Sequence, residues 1–193
     1  MELDYLMPYH PDAEEALEEA AHDLFGSLGY APVNAYDEIN GAKITGRDTL
    51  DEVVLIPRLR QALERLNSKL PPQAIDAAIT DLTADRGLMT LGAANQQVYH
   101  LIKNGVKVTY KTDEGDETTD TVRVIAWNDF TANDWFAVRQ LWVLSRDGLY
   151  KRRADVVLFV NGLPFIFIEL KASHRNVENA YRHNLTDYKD TIG

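Results

Sequence analysis

The segment "RRADVVLFVNGLPFIFIELKA", residues 152–172, limits what this chain can fold into more than any other stretch. Two apolar runs rich in Val, Ile and Phe flank Asn161-Gly162, a dipeptide that makes tight hairpin turns because both positions tolerate positive φ. Strands this apolar need a core around them, so the hairpin requires a larger sheet. Yet Asp155 opens the first strand, and Glu169 and Lys171 close the second.

Side chains alternate along a strand. Phe165, Phe167, Glu169 and Lys171 therefore point one way, and Ile166, Ile168 and Leu170 the other. On the partner strand Asp155, Val157 and Phe159 share a face, opposite Val156, Leu158 and Val160. For Asp155 to lie across from Glu169, paired residue numbers must have an even sum, which a two-residue Asn161-Gly162 turn does not give. A three-residue loop, Asn161-Gly162-Leu163, or a β-bulge restores the pairing, and one of the two is expected.

Two carboxylates meeting at strand ends stay charged and close only around a cation. Mg²⁺ suits the pair, since it prefers oxygen ligands, keeps several waters and commonly takes one or two protein carboxylates. The backbone carbonyl of Leu170 offers a further oxygen. Lys171 would then hold an attacking water and offset charge building on phosphorus. The same spacing also fits two strand-end ion pairs, Asp155 with Arg153 and Glu169 with Lys171, and spacing alone leaves both open.

Upstream, Asp12 and Glu15 have capping-box spacing ahead of apolar residues at 13, 16, 17, 20, 21, 24, 25 and 28, which predicts an amphipathic helix ending at Gly29. "EVVLI" (52–56) predicts a short strand, and Pro57 opens a helix running to about Asn67. Pro71-Pro72 breaks the chain before helices over about 73–83 and 89–104. From Gly105 the period changes, and "GVKVTYKT", "TDTVRVIAW" and "DWFAVRQLWVLS" predict strands. A last helix is expected over about 177–192. Neither a repeat nor a linker interrupts the order, so the chain is expected to form one α/β domain over 1–193: a helical part to about 104, a sheet over about 105–172, and the final helix.

The net charge of −10 argues against coating nucleic acid by electrostatics alone. The acidity lies in the first 150 residues, because residues 151–193 hold seven Lys or Arg against five acids. Lys151-Arg152-Arg153, just ahead of Asp155, is either a DNA-phosphate contact or a solvated charge run. Zero cysteines exclude disulfides, thiolate zinc sites and cysteine nucleophiles. His10, His22, His100, His174 and His183 share no metal-ligand spacing. Trp127, Trp135 and Trp142 are expected in the core. There is no signal-peptide pattern and no run of about 18 apolar residues, so a cytoplasmic protein away from membranes is expected. No G-x-x-x-x-G-K-[ST] occurs, which excludes ATP binding through a P-loop.

The Asp155…Glu169-x-Lys171 pattern resembles the PD-(D/E)xK nuclease motif. Its surroundings resemble the N-terminal nuclease domain of the restriction (R) subunit of type I restriction-modification enzymes. The resemblance rests on "LEEAAHDLFGSLGY", "PRLRQALERLNSKLPPQAIDAAI", "HLIKNGVKVTYKTDEGDETTDTVRVIAWNDF", "RRADVVLFVNGLPFIFIELKAS" and "NLTDYKDTI", and so covers most of the chain.

The resemblance implies a restriction-endonuclease-like mixed central sheet flanked by helices, and Mg²⁺-dependent cleavage of double-stranded DNA, with Mn²⁺ able to substitute. It makes Asp155 and Glu169 the metal-binding acids and Lys171 the catalytic lysine. Glu18 falls where the family's first helix often carries a glutamate near the metal. It lines up with Ala21 and Phe25 at i+3 and i+7, although a solvated helix glutamate fits the sequence equally. Asn184 and Tyr188 match a downstream Q-x-x-x-Y, with asparagine for glutamine, and Ala154 stands where the motif's proline would be. The resemblance further implies that the chain is an N-terminal fragment. An ATP-driven motor would follow in the same subunit, and methyltransferase and specificity subunits would be partners. Two alternatives stay open: a DNA-binding or assembly module of the same ancestry without cleavage, and a structural α/β domain whose trio is only ion-paired.

Overall fold

The structure, a computed structural model, describes residues 12–112, 114–145 and 148–170. Lys171, Asn184, Tyr188 and the expected helix over 177–192 lie outside the described residues.

The chain opens with helix α1 (Asp12–Ser27) and a four-residue strand β1 (Ala31–Asn34). After a 3₁₀ turn over Tyr36–Asn40 come three helices, α2 (Ile56–Leu66), α3 (Pro72–Leu82) and α4 (Leu91–Asn104). Proline stands in the first turn of α2 and α3, where its missing N–H costs no helical bond, and Thr90 caps α4 through Ala93 N–H. The strands β2 (Val106–Lys111), β3 (Glu117–Val122), β4 (Trp135–Leu144), β5 (Lys151–Val160) and β6 (Leu163–Ile168) follow.

The main sheet has the order β1-β4-β5-β6, with β1 parallel to β4 and the other pairs antiparallel, so it is a mixed sheet flanked by helices. On one face Phe136, Val138, Val157 and Phe159 pack with Ala35 and Leu55. On the other, Ala137, Val156 and Leu158 pack beneath Ala21 and Phe25 of α1. A second core joins Leu59 and Leu63 of α2 and Ile75 and Ile79 of α3 to Val106, Val108 and Val122. Val160 and Leu163, at the tip of the β5-β6 hairpin, plug into this second core and tie the two halves together.

Four expectations are corrected. Residues 105–172 do not form one sheet, because β2 and β3 pair only with each other. "EVVLI" is not a strand: Ile56 already begins α2, and fully buried Leu55 uses its N–H on Gly162 O, 2.8 Å away, rather than in a ladder. The real early strand is β1, which can accommodate Pro32 because it lies at the sheet edge. The stripe on α1 is only partly used, with Leu17, Leu24 and Leu28 exposed. Of the three tryptophans, half-buried Trp135 packs against the second core as expected, but Trp127 is exposed.

The 41–55 stretch has no regular structure, and a buried ion pair fixes it. Arg47 meets Glu38 at 2.7 Å and also donates to the carbonyls of Leu50, Glu52 and Trp142, while Glu38 accepts from Thr45. A buried pair persists when its remaining donors and acceptors are satisfied in this way.

Candidate active site

The hairpin turn is built by Asn161 (φ 52°) and Gly162 (φ 80°), the two-residue form that Asn-Gly favours. Asn161 is fully buried, and its side chain is a three-way tie. Its Oδ1 accepts from Asp134 N–H at 2.7 Å, and its Nδ2 donates to Val124 O at 2.8 Å and Asn133 Oδ1 at 2.9 Å.

From this turn the register starts as Val160↔Leu163 and Phe159↔Pro164, then changes to Leu158↔Ile166, Val157↔Phe167 and Val156↔Ile168. Phe165 is the extra residue, so of the two devices expected the chain uses the bulge. The ladder ends at Val156↔Ile168, one residue short of Asp155 and Glu169. A direct bond supports the alignment: Leu170 N–H donates to Asp155 Oδ2 at 2.7 Å. Ile168 and Leu170 pack together near the α1 face, as alternation requires.

Alternation fails at Asp155 itself. Ala154 shares a core with Val157 and Phe159, and on β4 Leu141 and Val143 share it with Phe136 and Val138. Both strands therefore slip in phase at the Gln140–Asp155 position, where the β4-β5 ladder skips a pair and Gln140 takes φ 57°.

Above this irregularity lies α1. Glu18 is its one buried side chain among those described, at 8% exposure, which excludes the solvated alternative. It accepts a hydrogen bond from Gln140 Nε2. Burial pushes the Glu18 carboxyl above its usual range; the Gln140 bond opposes this, the charge on Asp155 adds to it, and Arg153 and Arg139 oppose it. Glu18 and Gln140 line a cleft of about 450 Å³ with Asn34, Tyr36, Arg139 and Arg153. Arg153 also lies 5.6 Å from the Tyr36 ring and 5.5 Å from that of Trp142, which holds its cation at the cleft. Arg152 is not among the described residues of that lining.

The donors here are oxygens, as a hard divalent ion demands. Among the described residues no three of His, Cys, Asp and Glu gather into a ready-made metal cluster. The Asp155 and Glu169 carboxylates and the Leu170 carbonyl are oxygen donors of the kind that could hold such an ion, with other positions left to water or substrate. The sequence pattern did not expose Gln140, Arg139 or Tyr36. The one signal was a polar "RQ" inside the apolar run "WFAVRQLWVL".

No helix among the described residues is long and apolar enough to cross a membrane. The HindI type I restriction enzyme endonuclease subunit of Haemophilus influenzae is 36% identical over 149 residues, which is 76% of this chain and 14% of that protein. A putative MjaIXP type I restriction enzyme endonuclease subunit of Methanocaldococcus jannaschii is 25% identical over 183 residues, 90% of this chain and 17% of its own length. The chain thus spans well under a quarter of these relatives. The family described as the type I restriction enzyme R protein N terminus matches residues 12–192, and the chain belongs to it.

Proposed function

We propose that this chain is the nuclease module of a type I restriction R subunit and hydrolyses phosphodiester bonds of double-stranded DNA with Mg²⁺. The observation that carries the proposal is the bulge at Phe165, which turns an odd register even and brings the chain after β6 alongside the Asp155 end of β5. The Leu170 N–H bond to Asp155 makes that alignment specific.

Asp155 and Glu169, with the Leu170 carbonyl, would hold the ion, which supplies Lewis-acid polarisation of a phosphate oxygen and acidifies a bound water. Lys171 follows Leu170 directly and, as an ammonium, would orient the attacking water and offset charge growing on the phosphorus oxygens. Arg153, held in the cleft by two aromatic rings, would meet a backbone phosphate beside the cut. Arg152 has the same charge but not that placement. Asn184 and Tyr188 would contact DNA from the segment after Lys171.

A net charge of −10 suits a module that receives its DNA from elsewhere. The motor of the same subunit, fuelled by ATP, would deliver DNA, and the methyltransferase and specificity subunits would select it. Plasmid cleavage tests the assignment. Supercoiled DNA is incubated with Mg²⁺ or Mn²⁺ and the assembled enzyme carrying either wild-type or Lys171→Ala protein. Metal-dependent cutting lost in Lys171→Ala is expected. Cutting that survives the substitution removes the mechanism, and an assembled wild type that binds DNA without cutting it favours an assembly module.

A further inference from the structure

Gln140 lies in the middle of β4 with a left-handed backbone, φ 57°, a conformation that is strained for a residue bearing a Cβ. The strain has a geometric result. Regular alternation would point Gln140 the same way as Phe136 and Val138, into an apolar core where an amide has no partner. The left-handed turn instead delivers the side chain to Glu18 on α1, the helix that covers the opposite face. It does so at the pair position of Asp155, where the ladder skips. Both Gln140 and Glu18 are buried, at 9% and 8% exposure, yet both border the cleft.

We propose that Gln140 is a positioning residue for the nuclease reaction: from the skipped pair position opposite Asp155, its amide fixes the Glu18 carboxyl. The assignment rests on the function proposed above. A neutral amide suits the task because it donates to a carboxylate through Nε2 and accepts from a carboxylic acid through Oε1, so it holds Glu18 in either state. A lysine or arginine in its place would neutralise Glu18 and compete with a divalent ion. Arg139 and Arg153 line the same cleft, and Gln140 is the described hydrogen-bond donor to the buried carboxyl.

The backbone supplies a way to separate positioning from mere stability. Gln140→Gly removes the amide but relieves the left-handed strain, whereas Gln140→Met keeps the volume and the strain without the amide. Mn²⁺ binding to the 193-residue chain is measured by titration calorimetry for wild type, Asp155→Asn and both Gln140 variants, alongside thermal unfolding in EDTA and the kcat and KM of the assembled enzyme. Wild type is expected to bind Mn²⁺ in an Asp155-dependent way. Both Gln140 variants should bind it roughly 10–100-fold more weakly, the loss typical when a ligand's hydrogen-bond partner is removed. They should also lower kcat with little change in KM for DNA, although their unfolding temperatures differ from each other. Wild-type Mn²⁺ affinity in both variants overturns the role of Gln140 while leaving the nuclease function standing. Absence of Asp155-dependent binding in the wild type overturns both.

Discussion

Asn161→Ala should destabilise this protein more than any other single hydrogen-bonding change in the hairpin, and the size follows from its contacts. The wild-type side chain is fully buried and makes three bonds, to Asp134 N–H, Val124 O and Asn133 Oδ1. Asn133 Oδ1 retains its bond from Ala126 N–H, so truncation orphans chiefly the Asp134 N–H and the Val124 carbonyl. Each buried orphan costs about 1–3 kcal/mol. Alanine also tolerates φ 52° less well than asparagine does, which adds about 1 kcal/mol. The total is about 3–7 kcal/mol, against about 5–15 kcal/mol of stability for a whole domain.

Asn161→Gly separates the two contributions. It loses the same bonds without the backbone strain, and should recover about 1 kcal/mol relative to alanine. Asn161→Asp keeps the acceptor for Asp134 N–H but sets carboxylate oxygen against Val124 O and Asn133 Oδ1, and should be worse than glycine. Urea unfolding followed by tryptophan fluorescence and far-UV circular dichroism reads these differences as midpoint shifts at constant slope. An Asn161→Ala loss under about 1 kcal/mol would refute the account of the turn.

Gly162→Ala should cost at least about 2 kcal/mol in the same assay, because φ is 80° and a Cβ would sit 2.6 Å from both Leu55 O and Leu59 N, backbone atoms that cannot swing away. Arg47→Met should cost about 3–5 kcal/mol by leaving the Glu38 carboxylate buried without its cation; a change within about 0.5 kcal/mol would mean the 41–55 stretch is fixed by something else. Glu18 gives a pH-dependent test in metal-free protein. Its folded pKa lies above the ordinary 4.5, chiefly through burial, so the folded state holds the proton more tightly and stability falls as pH rises from the unfolded pKa through the folded one. Glu18→Gln should therefore raise the unfolding temperature at pH 7, with the gain vanishing at pH below the unfolded pKa; a lower temperature at pH 7 would contradict the burial argument.

The parts of the fold written in local pattern were legible in the sequence. Period-two alternation and Asn161-Gly162 specify the hairpin, and a parity condition on Asp155 and Glu169 narrows its geometry to a loop or a bulge, of which the chain uses the bulge at Phe165. The prolines marked the starts of α2 and α3 within a residue. What escaped depends on partners distant in sequence. "EVVLI" has strand composition, but Leu55 is captured by Gly162 and no neighbouring strand is available. The strand at Ala31–Asn34 is too short and too proline-marked to announce itself, and exists because the edge of β4 needs a partner. Leu17, Leu24 and Leu28 continue the apolar period of α1 without being covered among the described contacts, so their periodicity overstated the core. Within the candidate site, the sequence singles out Asp155, Glu169 and Glu18 by residue type and position. It does not single out the left-handed Gln140, since glutamine carries no conformational signature and its reason lies across the sheet in Glu18.

Central to all of this is the claim that Asp155 and Glu169 share a divalent ion. Anomalous diffraction from Mn²⁺-soaked crystals of the chain measures it directly. A peak about 2.0–2.3 Å from an oxygen of each carboxylate, absent from crystals of Asp155→Asn, is the predicted result. A peak bound elsewhere, or none at Mn²⁺ concentrations that support cleavage, would contradict it.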